Sequence, residues 1–238
     1  MAIDIGKLRE YAAANGIVLE EEMLSAFEKY GESLKEWNEK VNLTAIVDDE
    51  GILVKHFIDS LLLLRAVDLP KGAKMADVGT GAGFPGIPVK IVRPDISLVL
   101  VDSLNKRLAF LEDLCRRLAL SAERVHGRAE DLGRQPQYRE SFDLVTARAV
   151  TNMRELAEFC LPMVKKGGCF AAMKGFEVEE ELAQAKKAIA VLGGKVQEVR
   201  KYTLPDGGKR SVVVIKKISQ TPTKYPRPFA KISKSPLK

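Results

Sequence analysis

The sequence predicts an α/β fold: a doubly wound, mostly parallel sheet of seven strands with an antiparallel edge hairpin and an N-terminal helical extension. Apolar runs of strand length alternate with amphipathic stretches of helix length over residues 71–218, which indicates helices on both faces of a sheet. A glycine-rich turn follows the first run, and residues 1–70 show only helical periodicity. The 238 residues, 46% of them hydrophobic, are enough for such a core.

Helical patterns cover the first 70 residues, which we expect to form a helical subdomain. Gly16 separates two helices between Ile5 and Val41, and a third helical pattern covers residues 48–69. Trp37 falls on an apolar face and should pack in the core. His56 lies on an apolar face too, where a structural role is favoured over a catalytic one.

The central motif is a glycine-rich turn after the predicted strand Met75–Val78. Gly79, Gly81 and Gly83 would let the backbone turn sharply and approach a ligand where a Cβ would clash. A helix should follow over residues 86–92, with its free amides facing that ligand. The G-x-G-x-G spacing differs from the dinucleotide fingerprint, so a tight turn without a ligand remains an alternative.

Six more strands are predicted after the turn. Helices are expected over residues 105–118, 152–161 and 177–190, and residues 165–168 should turn the chain into the fifth strand. Pro205-Asp206-Gly207-Gly208 should join the last two strands as a hairpin. The strands are Ser97–Val101, Glu123–His126, Phe142–Ala147, Cys169–Met173, Val196–Tyr202 and Ser211–Lys216.

Candidate site residues follow the carboxyl ends of these strands, where ligands of doubly wound sheets bind. Asp102 ends the second strand and could accept hydrogen bonds from both hydroxyls of a ribose. Alternatively Asp102 caps the next helix, for which Ser103 is also a candidate. Ala129 and Glu130 follow the third strand, where they would reach an adenine ring.

Arg148 follows the fourth strand. Its guanidinium could bind a carboxylate or phosphate of a ligand through donors in a fixed geometry. A structural salt bridge to Asp77, Glu130 or Glu155 is the alternative.

Basic residues are concentrated at the carboxyl end. Residues 201–238 contain ten basic residues and one acidic residue, in a chain whose net charge is +6. Such a patch suits a polyanion, with a solvated basic tail as the alternative. Residues 219–238 should form an extended tail because they contain four prolines, and Tyr225 and Phe229 could stack on exposed bases.

Composition disfavours several other classes of protein. No uninterrupted run of 18 apolar residues and no apolar signal core are found, so we expect a soluble, cytoplasmic protein that does not bind a membrane. Cys115, Cys160 and Cys169 lack the spacing of a zinc site or a disulfide framework. We expect all three to be small core residues, and no metal site.

Several motifs together resemble a known family. The segment Asp77–Gly83 followed by Asp102 resembles the class I S-adenosylmethionine-dependent methyltransferases, whose fold is Rossmann-like. Further blocks, from about Leu34 to Lys238, resemble the bacterial ribosomal RNA small-subunit methyltransferase G family, also called glucose-inhibited division protein B. The blocks are Trp37–Ala45, His56–Leu61, Gly83–Pro88, Asp102-Ser103 with Lys106-Arg107, Arg148–Val150, Lys174-Gly175 and Lys224–Arg227.

The resemblance implies transfer of a methyl group from S-adenosylmethionine to N7 of guanine 527 in 16S ribosomal RNA. The partner would be that RNA or the small ribosomal subunit, and we expect a monomer. The resemblance also implies cofactor contacts at Gly79, Phe84, Ala129, Glu130 and Arg148, with Thr80 where a smaller residue is usual. The full predicted cofactor site is Gly79, Gly81, Gly83, Phe84, Asp102, Ala129, Glu130 and Arg148.

No catalytic residue is predicted. N7 of guanine has a free lone pair and no proton to lose, so its methylation needs positioning and electrostatic support more than a general base. Lys174, at the end of the fifth strand, is a weaker candidate for contact with the RNA backbone. Two alternatives remain: an NAD(P)-dependent oxidoreductase, disfavoured by the glycine spacing and the helical prefix, and a non-catalytic RNA-binding protein.

Overall fold

The computed structural model describes residues 3–237; Met1, Ala2 and Lys238, at the ends of the predicted subdomain and tail, lie outside the described residues. The strands are β1 (Lys74–Val78), β2 (Ser97–Asp102), β3 (Glu123–His126), β4 (Phe142–Arg148), β5 (Val164–Gly175), β6 (Gly194–Thr203) and β7 (Lys209–Lys217). They form one sheet in the order β3-β2-β1-β4-β5-β7-β6. Strands β1 to β5 pair in parallel, and β7 is antiparallel to β5 and β6. The predicted doubly wound sheet with an antiparallel edge hairpin is confirmed.

Helices cover both faces of the sheet. A π-helical segment, Ile52–Ile58, lies between α3 and α4, and a 3₁₀ turn, Leu161–Met163, follows α9. The α-helices are α1 (Ile5–Ala14), α2 (Glu21–Val41), α3 (Asp49–Gly51), α4 (Asp59–Leu61), α5 (Leu63–Ala66), α6 (Gly86–Val92), α7 (Asn105–Arg117), α8 (Ala129–Leu132), α9 (Met153–Cys160), α10 (Glu179–Val191) and α11 (Phe229–Lys234).

Alternate residues of the central strands enter two separate hydrophobic cores. Met75 of β1 and Leu100 of β2 pack in the first core, together with the N-terminal helices. Val78 of β1 and Val101 of β2 pack in the second core, with α9 and α10. Because side chains alternate between the faces of a strand, the continuous apolar runs in the sequence fill both cores at once.

The N-terminal helices support the glycine turn directly. Tyr30, fully buried on α2, donates its hydroxyl hydrogen to the carbonyl oxygen of Ala82 within that turn. Trp37 packs against Phe110 and donates from Nε1 to Asp113 at 2.9 Å, which confirms its predicted packing role. Asn42 ends α2 in a left-handed conformation (φ +50°), in agreement with the predicted helix end.

Three local predictions are wrong. Residues 165–168 lie inside the longer strand β5, near a register shift against β4, rather than in a turn before it. Ser103 does not cap α7, whose N-cap is Leu104, without a side-chain hydrogen bond. The tail is not extended throughout, because α11 forms and buries Ile232 in the second core.

Two of the three cysteines are fully within the core. Cys115 and Cys160 are buried and Cys169 is partly buried; all three are free thiols. Burial raises the pKa of the Cys160 thiol and that of Cys169, so both are protonated at neutral pH. Among residues 3–237, no helix is long and apolar enough to cross a membrane, and no group of three or more potential metal ligands is found.

Candidate active site

A cavity of about 390 Å³ opens at the carboxyl edge of the sheet. The ends of β1, β2 and β3 form one side, and the segment after β4 forms another. Gly79, Asp102, Ala129 and Glu130 all line it, so four of the eight predicted cofactor residues meet there. Gly81, Gly83, Phe84 and Arg148 are not in its lining.

The glycine turn brings the backbone close to this cavity. Gly79 has a φ of +68°, and a Cβ built on it would lie 2.7 Å from Cγ2 of Val150 across the cavity wall. Gly83 has a φ of +94° and faces the core, where a Cβ would lie 2.8 Å from Cγ1 of Ile87. Gly79 therefore opens the cavity, whereas Gly83 allows close packing beneath it.

Asp102 is nearly inaccessible and tied to the turn. Oδ2 accepts hydrogen bonds from the amide of Gly81 at 2.9 Å and from Nη1 of Arg107 at 3.3 Å. Oδ1 accepts one from the amide of Leu104 at 2.9 Å, so the helix-capping alternative is partly correct. A carboxylate has about four lone-pair positions, so Oδ1 retains one for a ligand.

Glu130 lies in α8, the short helix that follows the neighbouring strand β3. It is buried, and Oε1 accepts a hydrogen bond from Nε of Arg128 at 2.5 Å. Ala129 begins α8 beside it. Because β2 and β3 are adjacent and parallel, two carboxylates that are 28 positions apart in the sequence face one cavity.

A third carboxylate, Asp77, lies beneath the turn in the core. Its Oδ2 accepts hydrogen bonds from the hydroxyl of Thr80 at 2.7 Å and from the amide of Gly86 at 2.9 Å. Its Oδ1 is buried without a hydrogen-bond partner among residues 3–237. Burial raises the pKa of Asp77 to about 6, against the opposing effect of these hydrogen bonds. Thr80 thus supports a buried carboxyl group, a role that the sequence did not indicate.

Arg148 lies in a second cleft beside the cavity. Nη1 donates to Oδ2 of Asp59 at 3.0 Å and to the carbonyl oxygen of Lys55 at 2.9 Å. Its ion-pair partner is therefore Asp59, rather than Asp77, Glu130 or Glu155. Asp59 also accepts a hydrogen bond from the Tyr202 hydroxyl at 3.0 Å.

His56 takes part in the same contact between the N-terminal helical region and the sheet. Nη2 of Arg148 lies 3.2 Å from Nδ1, and Oγ1 of Thr44 lies 2.9 Å from Nε2. Since the guanidinium can only donate, Nδ1 is the acceptor and Nε2 carries the hydrogen. The ring stacks on Phe84 at 4.4 Å. Burial first, and then the charge of Arg148, lower the pKa of His56 to about 3, so its ring is neutral at physiological pH. These contacts agree with the favoured structural role.

The sequence and the structure of this chain are similar to those of known proteins. The family model described as rRNA small subunit methyltransferase G matches residues 23–213. A protein named "Ribosomal RNA small subunit methyltransferase G", from Acetivibrio thermocellus, is 51% identical over 232 residues, which cover 97% of this chain and 95% of the relative. The chain belongs to this family.

Solved structures with low sequence identity share the fold. TrmN from Thermus thermophilus aligns with a TM-score of 0.53 at 20% identity, covering 70% of this chain and 53% of that one. TYW2 from M. jannaschii, in complex with AdoMet, aligns with a TM-score of 0.50 at 16% identity, covering 63% of this chain and 71% of that one. The predicted Rossmann-like methyltransferase fold is confirmed. Membership of a methyltransferase family gives no support to the oxidoreductase and non-catalytic alternatives.

In this member of the methyltransferase G family, the carboxyl-terminal tail forms part of the cavity wall. Phe229 of α11 lines the cavity and stacks on Phe159 of α9 at 6.3 Å. The guanidinium carbon of Arg128 lies 3.7 Å from the centre of the Phe229 ring. Sequence reasoning assigned Phe229 to RNA and missed this position, because the contact depends on how the tail folds back.

Two tail residues predicted to face RNA are used inside the protein. Tyr225 is only 8% exposed, so its ring is not available for stacking on a base. Arg227 donates from Nε and Nη2 to the two oxygens of Glu158, at 2.8 and 2.7 Å, and Glu158 is fully buried. The basic excess of the sequence therefore overstates the charge that the tail presents to a polyanion.

Proposed function

We propose that the protein transfers a methyl group from S-adenosylmethionine to N7 of guanine 527 in 16S ribosomal RNA. The observation that carries this proposal is the cavity at the sheet edge, where the buried carboxylates of Asp102 and Glu130 flank a glycine turn. The name of the Acetivibrio relative supports ribosomal RNA of the small subunit as the substrate. The proposal includes action in the cytoplasm, where ribosomal subunits are, and a monomeric enzyme.

The cavity fits an adenosyl cofactor by size and by chemistry. Its volume of about 390 Å³ lies within the usual range for small-molecule sites. The free lone pair on Oδ1 of Asp102 can accept a ribose hydroxyl, and the contact of Oδ2 with Arg107, at 3.3 Å, is long enough to be exchanged for another. Phe229 and Phe159 offer ring surface on the side of Ala129 and Glu130, where the adenine would lie. The TYW2 complex shows that a protein of this fold binds AdoMet.

The predicted cofactor residues then divide by role. Gly79, Asp102, Ala129 and Glu130 would contact the cofactor, since they line the cavity. Gly81 would hold Asp102 in place through its amide, and Gly83 would allow the tight packing of the turn. Phe84 and Arg148 would act indirectly, by stacking and by shaping the neighbouring wall.

The chemistry places few demands on the side chains. S-adenosylmethionine, when bound, supplies a methyl group to the lone pair of N7, and no proton has to be removed from that atom. The residues of the site need to hold the two reactants in line and to exclude water. Asp102 and Glu130 serve binding in this scheme, and no general base is required.

A matched pair of glycine variants tests the proposal. Gly79→Ala and Gly72→Ala introduce the same Cβ at nearly equal φ values, +68° and +70°, but only Gly79 faces the cavity and only its Cβ would meet Val150. A strain that lacks the gene is complemented with each variant, and 7-methylguanosine at position 527 is measured by mass spectrometry. Wild type and Gly72→Ala should restore the modification, and Gly79→Ala should not.

Calorimetric titration separates the cofactors. S-adenosylmethionine should bind the wild type, Gly79→Ala should bind it more weakly, and NAD should not bind. If neither the wild type nor any variant restored 7-methylguanosine, the proposed activity would be refuted.

A further inference from the structure

The second cleft, beside the cofactor cavity, has a volume of about 330 Å³. Ala149 lines both, so the two spaces meet at the segment after β4. The walls of the second cleft come from the N-terminal helical region, from the carboxyl ends of β4 and β5, and from the start of β7. A molecule bound in it would lie next to whatever occupies the cofactor cavity.

The charge of this cleft is positive. Lys55, Arg148, Lys174 and Arg210 line it, against the single carboxylate of Asp59. Arg148 is paired with Asp59, and Lys174 with Glu181 at 2.6 Å.

The other two cationic side chains, Lys55 and Arg210, have weaker contacts with carboxylates or none. Lys55 contacts Asp206 only at 3.6 Å, and its side chain is 44% exposed. Arg210 donates to the carbonyl oxygen of Lys209 and has no carboxylate within 4.0 Å in the part of the chain that the structure describes, residues 3–237. Arg210 is therefore available to bind an anion, and Lys55 can do so by exchanging its long contact with Asp206.

The rest of the lining is suited to a flat, partly apolar group. Ile46 and Met173 contribute apolar surface, and the neutral ring of His56 is held in place by Phe84 and Arg148. A cleft at the small end of the usual range for ligand sites fits one nucleotide better than a large ligand. Unstacked bases of single-stranded RNA are commonly bound by such rings and apolar side chains, next to cations that bind the phosphates.

We propose that this cleft receives the target nucleotide of the RNA, with Lys55 and Arg210 binding its flanking phosphates. The inference rests on the proposed function for the identity of the reaction, but the cleft itself is defined by its own residues. It gives the N-terminal helical subdomain a function in substrate binding, because Ile46, Lys55, His56 and Asp59 all belong to that part of the chain. The base would reach the methyl donor by passing Ala149.

The test compares Arg210→Gln with Lys209→Gln. Both remove one positive charge from adjacent positions of β7, but Lys209 is outside the cleft lining and lies near Phe176. Lys55→Gln serves as a second cleft variant from the opposite wall. Methyl transfer is measured on unmethylated small ribosomal subunits over a range of salt concentrations, with the affinity for S-adenosylmethionine and the Tm recorded for each variant.

One lost phosphate contact should raise KM for the subunit about fivefold at 0.1 M salt and flatten the slope of log K against log salt by about 0.7. We expect this of Arg210→Gln and Lys55→Gln, with kcat, cofactor affinity and Tm close to wild type, and no such change in Lys209→Gln. Equal effects of Arg210→Gln and Lys209→Gln would overturn the proposal, since general charge would then account for both. If the wild type transferred no methyl group, the proposed function would fail. Equilibrium binding of the same subunits by the three variants would still test the cleft, because only the two cleft variants should bind more weakly than wild type.

Discussion

Arg148, at the end of β4, forms an ion pair with Asp59 of α4 at 3.0 Å, and this contact joins the sheet to the N-terminal helical region. Both side chains are shielded from solvent, with 15% and 5% of their surface exposed. Both residues line the second cleft, and Arg148 directly precedes Ala149, which lines both this cleft and the larger cavity.

We predict that Asp59→Ala lowers the free energy of unfolding by about 3–5 kcal/mol, because it leaves the Arg148 charge buried without its carboxylate. Tyr202→Phe, which removes only one hydrogen bond to Asp59, should cost about 1–3 kcal/mol. Urea denaturation measures both. Glu50→Ala breaks the exposed pair with Lys7 and should leave the midpoint nearly unchanged. Equal losses for Asp59→Ala and Tyr202→Phe would show that the ion pair adds nothing to the hydrogen bond.

A second prediction concerns the hydroxyl of Thr80. Thr80→Ala should destabilise the protein by about 1–3 kcal/mol at pH 7, since Oδ2 of Asp77 keeps only the Gly86 amide as a partner. Thr80→Ser keeps the hydroxyl and should recover most of that loss. Denaturation midpoints of the three proteins give the comparison, and a serine variant as unstable as the alanine variant would assign the effect to the lost methyl group instead.

The predicted sheet rests on patterns along the chain and is confirmed, whereas the predicted salt-bridge partners of Arg148 depend on contacts between residues distant in the sequence and are wrong. The mostly parallel sheet and the meeting of Asp102 with Glu130 depend on patterns that can be read along the chain, namely apolar runs, a glycine turn and polar residues at the carboxyl ends of strands. The partner of Arg148 depends on side-chain packing across 89 positions, and no local pattern encodes it. The sequence indicates that Arg148 lies at a ligand site. Asp59 is not among the salt-bridge partners that it offers as the alternative, which are Asp77, Glu130 and Glu155.

The tail shows a similar limit. Its prolines favoured an extended chain, yet Ile232 is buried in the second core, and this burial stabilises a six-residue helix whose Phe229, 42% exposed, stacks on Phe159. Helix propensity and proline content describe the chain before it packs, so they could not indicate that Arg227 has a buried partner in Glu158. The net charge of the tail suggested more contact with RNA than its folded structure supports.

A third prediction is a pH effect from His56. Its pKa in the folded protein, about 3, lies below the ordinary value of 6.5, so the unfolded chain binds a proton more readily between these values. The stability contributed by neutral His56 is present above pH 6.5 and is lost as the pH falls toward 3. Between pH 7.5 and pH 5, the wild type should therefore lose about 2 kcal/mol more than His56→Gln. Urea titrations at the two pH values measure this difference.

Asp77 provides the control for that experiment, because its effect has the opposite sign. Its pKa is raised from 3.8 to about 6, so its contribution favours folding below pH 3.8 and is lost as the pH rises through 6. Asp77→Asn should consequently gain stability relative to wild type as the pH rises from 4 to 7. Parallel pH profiles for His56→Gln and wild type would contradict the assignment of a depressed pKa to His56.

The last prediction separates structural from RNA-binding charge in the tail. Arg227→Ala leaves the buried carboxylate of Glu158 without its counter-charge, with only the amide of residue 227 still donating to it, and it should lower the free energy of unfolding by about 3–5 kcal/mol. Lys231→Ala removes an exposed charge of the same tail and should leave stability unchanged within about 0.5 kcal/mol. Since Arg227 helps to place α11 and Phe229 against the cavity, its loss should also weaken S-adenosylmethionine binding, which titration calorimetry detects. A stable Arg227→Ala variant with normal cofactor affinity would show that the tail does not depend on this ion pair.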